Sequence, residues 1–218
     1  MSGQKTHPQP VRDQATDHLL TPENCVLTLI DFQKTQYETV TSASRERINL
    51  NVEAAARIAA AYDIPVVLST VGVDLGVNPP TEPELKKALG EDMPEIDRTG
   101  VNAWEDAEYR AAIEATGRKK VVIAGLWTEV CMAEPTLDML AEGYEVYPLE
   151  DGVGGISTVS HEAALRRVEA AGARPITAIA FASEIMRDWA RPESDRLREL
   201  FAWYFPRKAE LDKAEGIL

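Results

Sequence analysis

The sequence predicts an α/β protein with a three-layer, Rossmann-like fold, in which a mostly parallel sheet carries helices on both faces. Two observations predict this architecture. Short apolar runs such as Cys25–Ile30 lack polar alternation, which is typical of strands covered on both faces. These runs alternate with helical patterns five times over about 150 residues, which favours parallel strands joined by helical crossovers.

The first part of the pattern contains two strands and one helix. The run at 25–30 ends at Asp31, and a second buried strand is predicted over 66–70. Between them, apolar residues at spacings of three and four predict a helix over 45–61. Two glycines and two prolines within residues 72–81 predict a loop there.

The second part of the pattern repeats strand and helix. Three of its predicted helices are each followed by a glycine, which commonly ends a helix. Pro148 places one strand towards an edge of the sheet, because proline cannot donate to the hydrogen-bond ladder. Helices are predicted over 105–116, 131–142, 158–171, 180–190 and 192–204, and strands over 121–124, 144–149 and about 174–178.

The length of 218 residues fits one domain with a sizeable core. Residues 1–24 are polar and contain three prolines, which predicts an arm that is either packed on a partner subunit or mobile. The domain is predicted over 25–205, followed by a tail over 206–218. The aromatic-rich segment 200–206 either packs locally or contacts another subunit.

Composition excludes several classes of partner. The formal net charge of −13 disfavours binding to nucleic acid and to anionic membrane surfaces. No apolar run approaches the roughly 20 residues needed to span a bilayer. Two cysteines cannot form a disulfide scaffold and no signal peptide is recognised, so a reducing cytoplasm is the expected location.

The most informative stretch is 123–131. A buried strand ends at Gly125, a tight loop follows, and Cys131 stands where the next helix is predicted to begin. A helix N-terminus favours the thiolate and offers N–H groups for an oxyanion, so Cys131 is a candidate nucleophile. The alternative is a small buried filler, which is the interpretation given to Cys25 inside its strand.

Two further segments lie at predicted strand ends. Asp31 is well placed for the crevice beyond the carboxyl ends of parallel strands, although most aspartates at such positions are turn or cap residues. The glycine-rich segment 152–157 follows a strand and looks like a dinucleotide loop. Ser157 replaces its third required glycine, so a turn near the mouth of the site is favoured instead.

Three features together resemble the isochorismatase-like cysteine hydrolases, a family that includes nicotinamidases. They are the aspartate after the first strand, the Gly-x-x-Thr-x-x-Cys run at 125–131 and a basic residue between them. The stretches 98–104, 128–131 and 180–189 are more similar to the YcaC-type subgroup. The resemblance covers residues 24–205, and it implies the family's three-layer fold.

The resemblance also implies roles for three residues. Asp31 would be the general base, and Cys131 would be the nucleophile that forms a thioester. The lysine usual in the family is matched by Arg98, which stays charged and cannot act as an acid, so it implies electrostatic support only. The alternative for Arg98 is a surface residue paired with Asp97 or Glu95.

The family resemblance further implies a cis peptide bond between Leu126 and Trp127, which would turn the N–H groups near Val130 and Cys131 towards the substrate. Gln33 and Thr128 are candidate substrate contacts, or else ordinary polar residues of their loops.

Family nicotinamidases hold a metal through histidines after the second strand. The matching stretch, residues 69–76, contains no histidine, so no metal and no cofactor are expected and nicotinamide is disfavoured. The subgroup resemblance implies a homo-oligomer, either a tetramer or an octamer.

The expected function is that of a metal-independent cysteine hydrolase acting on a small amide or related carbonyl compound. Isochorismate is less favoured, because cleaving its vinyl ether needs no thiol. The alternative is an oligomeric binding or thiol-reactive protein with little hydrolase activity. An activated Cys131 is expected to alkylate well below pH 8.

Overall fold

A computed structural model describes residues 6–8 and 12–218, and its centre is a five-stranded sheet in which all strand pairs are parallel. The strands are β1 Cys25–Ile30, β2 Val66–Val71, β3 Glu95–Arg98, β4 Lys120–Gly125 and β5 Glu145–Pro148. Their order in the sheet is β3-β2-β1-β4-β5. This confirms the predicted fold class.

The helices form two groups. Helix α2 contacts α3, α7 and α8, whereas α5 contacts α6. Right-handed crossovers place helices on opposite faces when the chain moves in opposite directions across the sheet, as it does here after β1 and after β4. The helices are α1 Lys34–Tyr37, α2 Arg45–Ala61, α3 Pro83–Leu89, α4 Ala107–Ala115, α5 Ala133–Ala141, α6 Thr158–Ala170, α7 Ala178–Met186 and α8 Ser194–Ala214.

The two central neighbours, β1 and β4, form the centre of the core. Every residue of both strands is buried, because strands lie on either side of each and helices cover both faces. Continuous apolar runs are what such positions require, which explains why these two strands were the clearest in the sequence.

Strand β3 and helix α3 were not predicted. Strand β3 reads Glu-Ile-Asp-Arg, with one apolar residue, because it lies at the edge of the sheet and pairs only with β2. Its partly exposed residues carry no buried-strand pattern. Only the pairing of Val71 with Arg98 and its neighbours makes this segment a strand.

The strand predicted around residues 174–178 is wrong. Only one parallel bridge forms there, between Leu149 and Ile176. Pro175 has no N–H to donate, which limits the ladder. The edge position expected from Pro148 is confirmed, since β5 is the last strand of the sheet.

The predicted arm and tail both pack on the domain where they are described. The buried Lys120 donates from Nζ to the carbonyls of Asp17 (2.6 Å) and Leu19 (3.1 Å). Arg187 pairs with Asp17 at 2.5 Å. Residues 1–5 and 9–11 of the arm lie outside the described residues. Helix α8 continues across residue 206, where the tail was predicted to begin.

Within residues 6–8 and 12–218, no helix has the length and apolar character required to cross a membrane.

Candidate active site

The candidate site lies where the strand order reverses. Beyond β1 the chain crosses towards β2, and beyond β4 it crosses towards β5, so a crevice opens between their carboxyl ends. Asp31 directly follows β1, and the loop leading to Cys131 directly follows β4. Arg98 ends β3 at the same edge of the sheet. The topology therefore brings together the three residues expected to be catalytic.

Asp31 and Arg98 form a buried, bidentate ion pair. Arg98 donates from Nη1 to Oδ1 and from Nη2 to Oδ2 of Asp31, both at 2.7 Å. Both side chains have 0% of their surface exposed. Asp31 has a φ of +60°, a left-handed conformation that aspartate tolerates better than most residues. Arg98 thus pairs with Asp31 rather than with Asp97 or Glu95.

The remaining Nη donors of Arg98 bind protein atoms, whereas its buried Nε has no hydrogen-bond partner within the described part of the chain. Nη1 also donates to Ser69 Oγ at 3.1 Å and to the carbonyl of Thr70 at 3.0 Å. Nη2 donates to the carbonyl of Val101 at 3.1 Å. These bonds fix the plane of the guanidinium, so Arg98 holds the Asp31 carboxylate in one orientation.

Cys131 lies inside a π-helical turn, Thr128–Met132, which precedes α5. The carbonyl of Trp127 accepts the N–H groups of Val130 (3.1 Å) and Met132 (3.3 Å). A Cβ at Gly125 would lie 3.2 Å from the carbonyl carbon of Cys131, so glycine lets the turn pack closely onto the end of β4. Cys131 is 7% exposed.

The thiol of Cys131 is held in its protonated form. Burial raises its pKa well above the ordinary value, and the charge of Asp31 and a hydrogen bond to it raise the pKa further. Arg98 and the backbone of Trp127 act in the opposite direction without overcoming these effects. The helix N-terminus favours the thiolate, as the sequence indicates, but burial and the charge of Asp31 raise the pKa by more.

Alkylation of Cys131 is expected to be slow at pH 7 and still rising above pH 9, because only the thiolate reacts and the folded site keeps the proton. The Asp31→Asn variant removes the charge that raises the thiol pKa, so its labelling curve is expected to move to lower pH. Iodoacetamide labelling from pH 6 to 10, followed by peptide mass spectrometry, measures both curves. A plateau below pH 8 in the unaltered protein would contradict this expectation.

The loop before Cys131 has its own fixed contacts. The peptide bond between Leu126 and Trp127 is cis, the form that the resemblance implies. The indole of Trp127 donates to Thr39 Oγ1 at 2.7 Å and to the carbonyl of Gln36 at 3.2 Å. The N–H of Val130 is bonded to Trp127, so in this arrangement Val130 does not present a free oxyanion donor.

The sequence profile of the isochorismatase domain matches residues 25–180, which is more than half of the chain. The chain belongs to the isochorismatase family. It is 34% identical over 188 residues to the Escherichia coli "Probable hydrolase YcaC", covering 86% of this chain and 89% of that protein.

Two solved structures are similar to this isochorismatase-family hydrolase. YcaC from Pseudomonas aeruginosa, with hexane-2,5-diol and covalent acrylamide, has a TM-score of 0.82 and 34% identity, covering 92% of this chain and 98% of its own. The Escherichia coli YcaC product, described as an octameric hydrolase of unknown specificity, has a TM-score of 0.82 and 31% identity, covering 93% and 98%.

The two polar residues expected at the substrate, Gln33 and Thr128, are buried in this isochorismatase-family chain. The Gln33 amide donates to the carbonyl of Pro79 at 2.7 Å and accepts from the N–H of Val71 at 3.2 Å. Thr128 Oγ1 lies 2.9 Å from His161 Nδ1. Both side chains thus position loops around the crevice, and their contact with substrate remains a prediction.

Two contributors to the site were missed in the sequence. Ser69 supports Arg98 from inside β2, where its position in an apolar run gave no signal. His161 lies in the first turn of α6, far along the chain from Thr128. Burial lowers the pKa of His161, which favours its neutral form. Only the packing of α6 against the π-helical turn reveals this pair.

The glycine-rich segment 152–157 is explained by close packing at the crevice. A Cβ at Gly154 would lie 2.6 Å from Ile48 Cδ1 and 2.7 Å from Val40 Cγ1. The carbonyl of Gly154 accepts the N–H of Thr128 at 2.9 Å. Glycine is required here so that the segment can approach the loop before Cys131.

The loop after β2 does not fit a metal centre of the nicotinamidase type. The carboxylate beside this loop, Asp97 of β3, already accepts hydrogen bonds from Thr70 Oγ1 and from the N–H groups of Val73 and Asp74 at 2.9–3.0 Å. Among residues 6–8 and 12–218, no three His, Cys, Asp or Glu side chains are grouped as metal ligands.

Proposed function

We propose that this chain is a metal-independent cysteine hydrolase acting on a small amide or a related carbonyl compound. One observation carries the proposal. The Asp31 carboxylate, which Arg98 holds in a bidentate ion pair, lies close enough to the Cys131 thiol to raise the pKa of that thiol. A nucleophile, a base beside it and a third group that orients the base form the pattern of covalent catalysis.

In the proposed reaction Asp31 takes the thiol proton as sulfur attacks the substrate carbonyl. The tetrahedral intermediate collapses to a thioester on Cys131, and protonated Asp31 gives its proton to the leaving amine. A water molecule then attacks the thioester, with Asp31 as the base, and releases the acid and the free thiol. The N–H groups of Thr128 and Val130 are bonded within the protein, so the other backbone N–H groups near residues 127–131 are proposed to bind the oxyanion.

Arg98 has an electrostatic role in this scheme. Proton transfer to Asp31 moves negative charge from the carboxylate to the sulfur and then to the substrate oxygen. The guanidinium keeps its positive charge throughout, so it compensates that charge wherever it lies within the buried site. The raised thiol pKa confines thiolate formation to the moment of attack, when the substrate carbonyl accepts the charge.

Similarity supports the proposal in two ways. A similar YcaC carries covalent acrylamide, a compound whose conjugated double bond reacts with thiolates. Another similar YcaC is an octamer, so we infer a homo-oligomer, tetrameric or octameric, for this chain as well. Both described cysteines are free thiols, which fits the reducing cytoplasm as the place of action.

Intact-protein mass spectrometry after exposure to a panel of small amides tests the proposal. We expect an added mass equal to the acyl group, located on the peptide that contains Cys131. The Cys131→Ser variant is expected to lose the thioester, and Cys25→Ser is expected to keep it. Turnover of an amide with no acyl transfer to Cys131 would overturn the covalent route.

A second candidate function is a thiol-reactive or binding protein with little hydrolase activity. One observation favours it: the residue paired with Asp31 is an arginine, which has no proton to exchange during hydrolysis. An acyl adduct that forms once and is never hydrolysed would support this alternative.

A further inference from the structure

We propose that the site admits uncharged carbonyl substrates and rejects those that carry a carboxylate beside the reacting carbonyl. This inference rests on the proposed function, because it concerns what Cys131 attacks. The inference specifies the charge of the substrate, which the similar proteins do not indicate.

The buried cation of the site, Arg98, already forms a bidentate ion pair with Asp31. A substrate carboxylate is commonly held by the two-pronged face of an arginine. On Arg98 that face is filled by both oxygens of Asp31, each at 2.7 Å. The other donors of Nη1 and Nη2 bind Ser69, Thr70 and Val101. Only the buried Nε of Arg98 has no hydrogen-bond partner among the described residues, so Arg98 offers an anionic substrate one donor and no bidentate pair.

The charge balance of the buried site also opposes a second anion. At rest Asp31 and Arg98 cancel, and attack by Cys131 moves the negative charge of Asp31 to the substrate oxygen, where Arg98 alone balances it. A substrate carboxylate would place another negative charge beside a sulfur that is 7% exposed. Burying a charge without a partner is costly, so the carboxylate analogue should bind and react poorly.

The rim of the crevice also disfavours anionic substrates, because most of its charged residues are acidic. It consists of the five segments that follow the carboxyl ends of the strands, and Lys34 is the one lysine or arginine among them. Lys34 forms an ion pair with Glu38, with 3.9 Å between Nζ and Oε1. Arg45, the first residue of α2, is paired with Glu82. Besides Asp31, the segments 31–44, 72–82, 99–106, 126–132 and 149–157 contain Glu38, Asp74, Glu82, Glu105, Asp106, Glu129, Glu150 and Asp151.

The opposite edge of the sheet shows that this distribution is not a simple effect of net charge. A cavity of about 490 Å³ at the amino ends of the strands is lined by Arg118, Lys119, Lys120 and Arg174, together with Asp17, Glu23 and Glu145. Cations thus gather far from Cys131. The carboxylates of the rim give the crevice a negative potential, which lowers the local concentration of anions.

Two alkylating agents of nearly equal size test the inference. Iodoacetamide is neutral and iodoacetate is anionic, and their rates at Cys131 can be compared in the full-length Cys25→Ser variant at pH 9.5. The ratio of the two rates is divided by the same ratio for a small neutral thiol. We expect the corrected ratio to favour iodoacetamide at least tenfold and to shrink in 0.5 M NaCl, because salt screens the rim.

Matched variants separate the rim from the buried pair. Asp74→Asn removes an exposed rim carboxylate and is expected to lower the corrected ratio about twofold. Asp92→Asn removes another exposed carboxylate, which precedes β3 at the opposite edge of the sheet, and should leave the ratio unchanged. A corrected ratio near one, with Cys131 labelled by both agents, overturns the charge preference alone. Labelling by neither agent overturns the proposed nucleophile, and the charge preference falls with it.

Discussion

Replacing Cys131 by alanine is expected to lower kcat for amide hydrolysis by about a thousandfold or more. Without the sulfur no thioester forms, and water would have to attack the substrate directly. Asp31 cannot compensate, because Arg98 holds it in one orientation. The substitution removes one small side chain, so we expect a stability cost of about 1 kcal/mol. Steady-state turnover of the amide identified by mass spectrometry measures the effect.

Cys25 provides the matched control. Its thiol is buried at the start of β1, donates to the carbonyl of Thr21 at 3.0 Å, and has a pKa that burial raises to about 12. Cys25→Ala is therefore expected to retain turnover. Full activity in Cys131→Ala would exclude the covalent mechanism. Equal loss in both variants would point to general damage to the fold rather than to a lost nucleophile.

Replacing Arg98 by methionine is expected to reduce the free energy of unfolding by about 3–5 kcal/mol. The change leaves the carboxylate of Asp31, which has 0% of its side chain exposed, without its charge partner. It also leaves Ser69 and Val101 without their guanidinium contacts. Urea denaturation at pH 7 measures the loss.

The double variant Asp31→Asn with Arg98→Met distinguishes the ion pair from simple loss of packing. With both charges removed, no buried charge remains unpaired, so the double variant should be more stable than Arg98→Met alone. Arg166→Met is the surface control, because its pair with Glu162 has side chains 67% and 57% exposed. That change is expected to cost less than about 0.5 kcal/mol. Strictly additive effects of Asp31→Asn and Arg98→Met would contradict the coupling.

Local sequence patterns were sufficient for the central strands and for the two ends of the candidate site. The apolar runs that form β1 and β4 are continuous, since both strands are buried on every side. Asp31 and the stretch from Gly125 to Cys131 follow those runs directly, so their position at one edge follows from parallel pairing alone. The family resemblance depended on the same residues.

Tertiary structure decided the rest, because burial and distance between remote residues have no local signature. Strand β3 exists through its pairing with β2. The pair of Asp31 and Arg98 joins positions 67 apart in the sequence. The direction of the Cys131 pKa shift depends on that buried carboxylate and on exclusion of water, which outweigh the effect of the helix end. The sequence determined which groups meet at the crevice, whereas packing determined the protonation of the thiol and left Arg98 without a free bidentate pair of donors for a substrate anion.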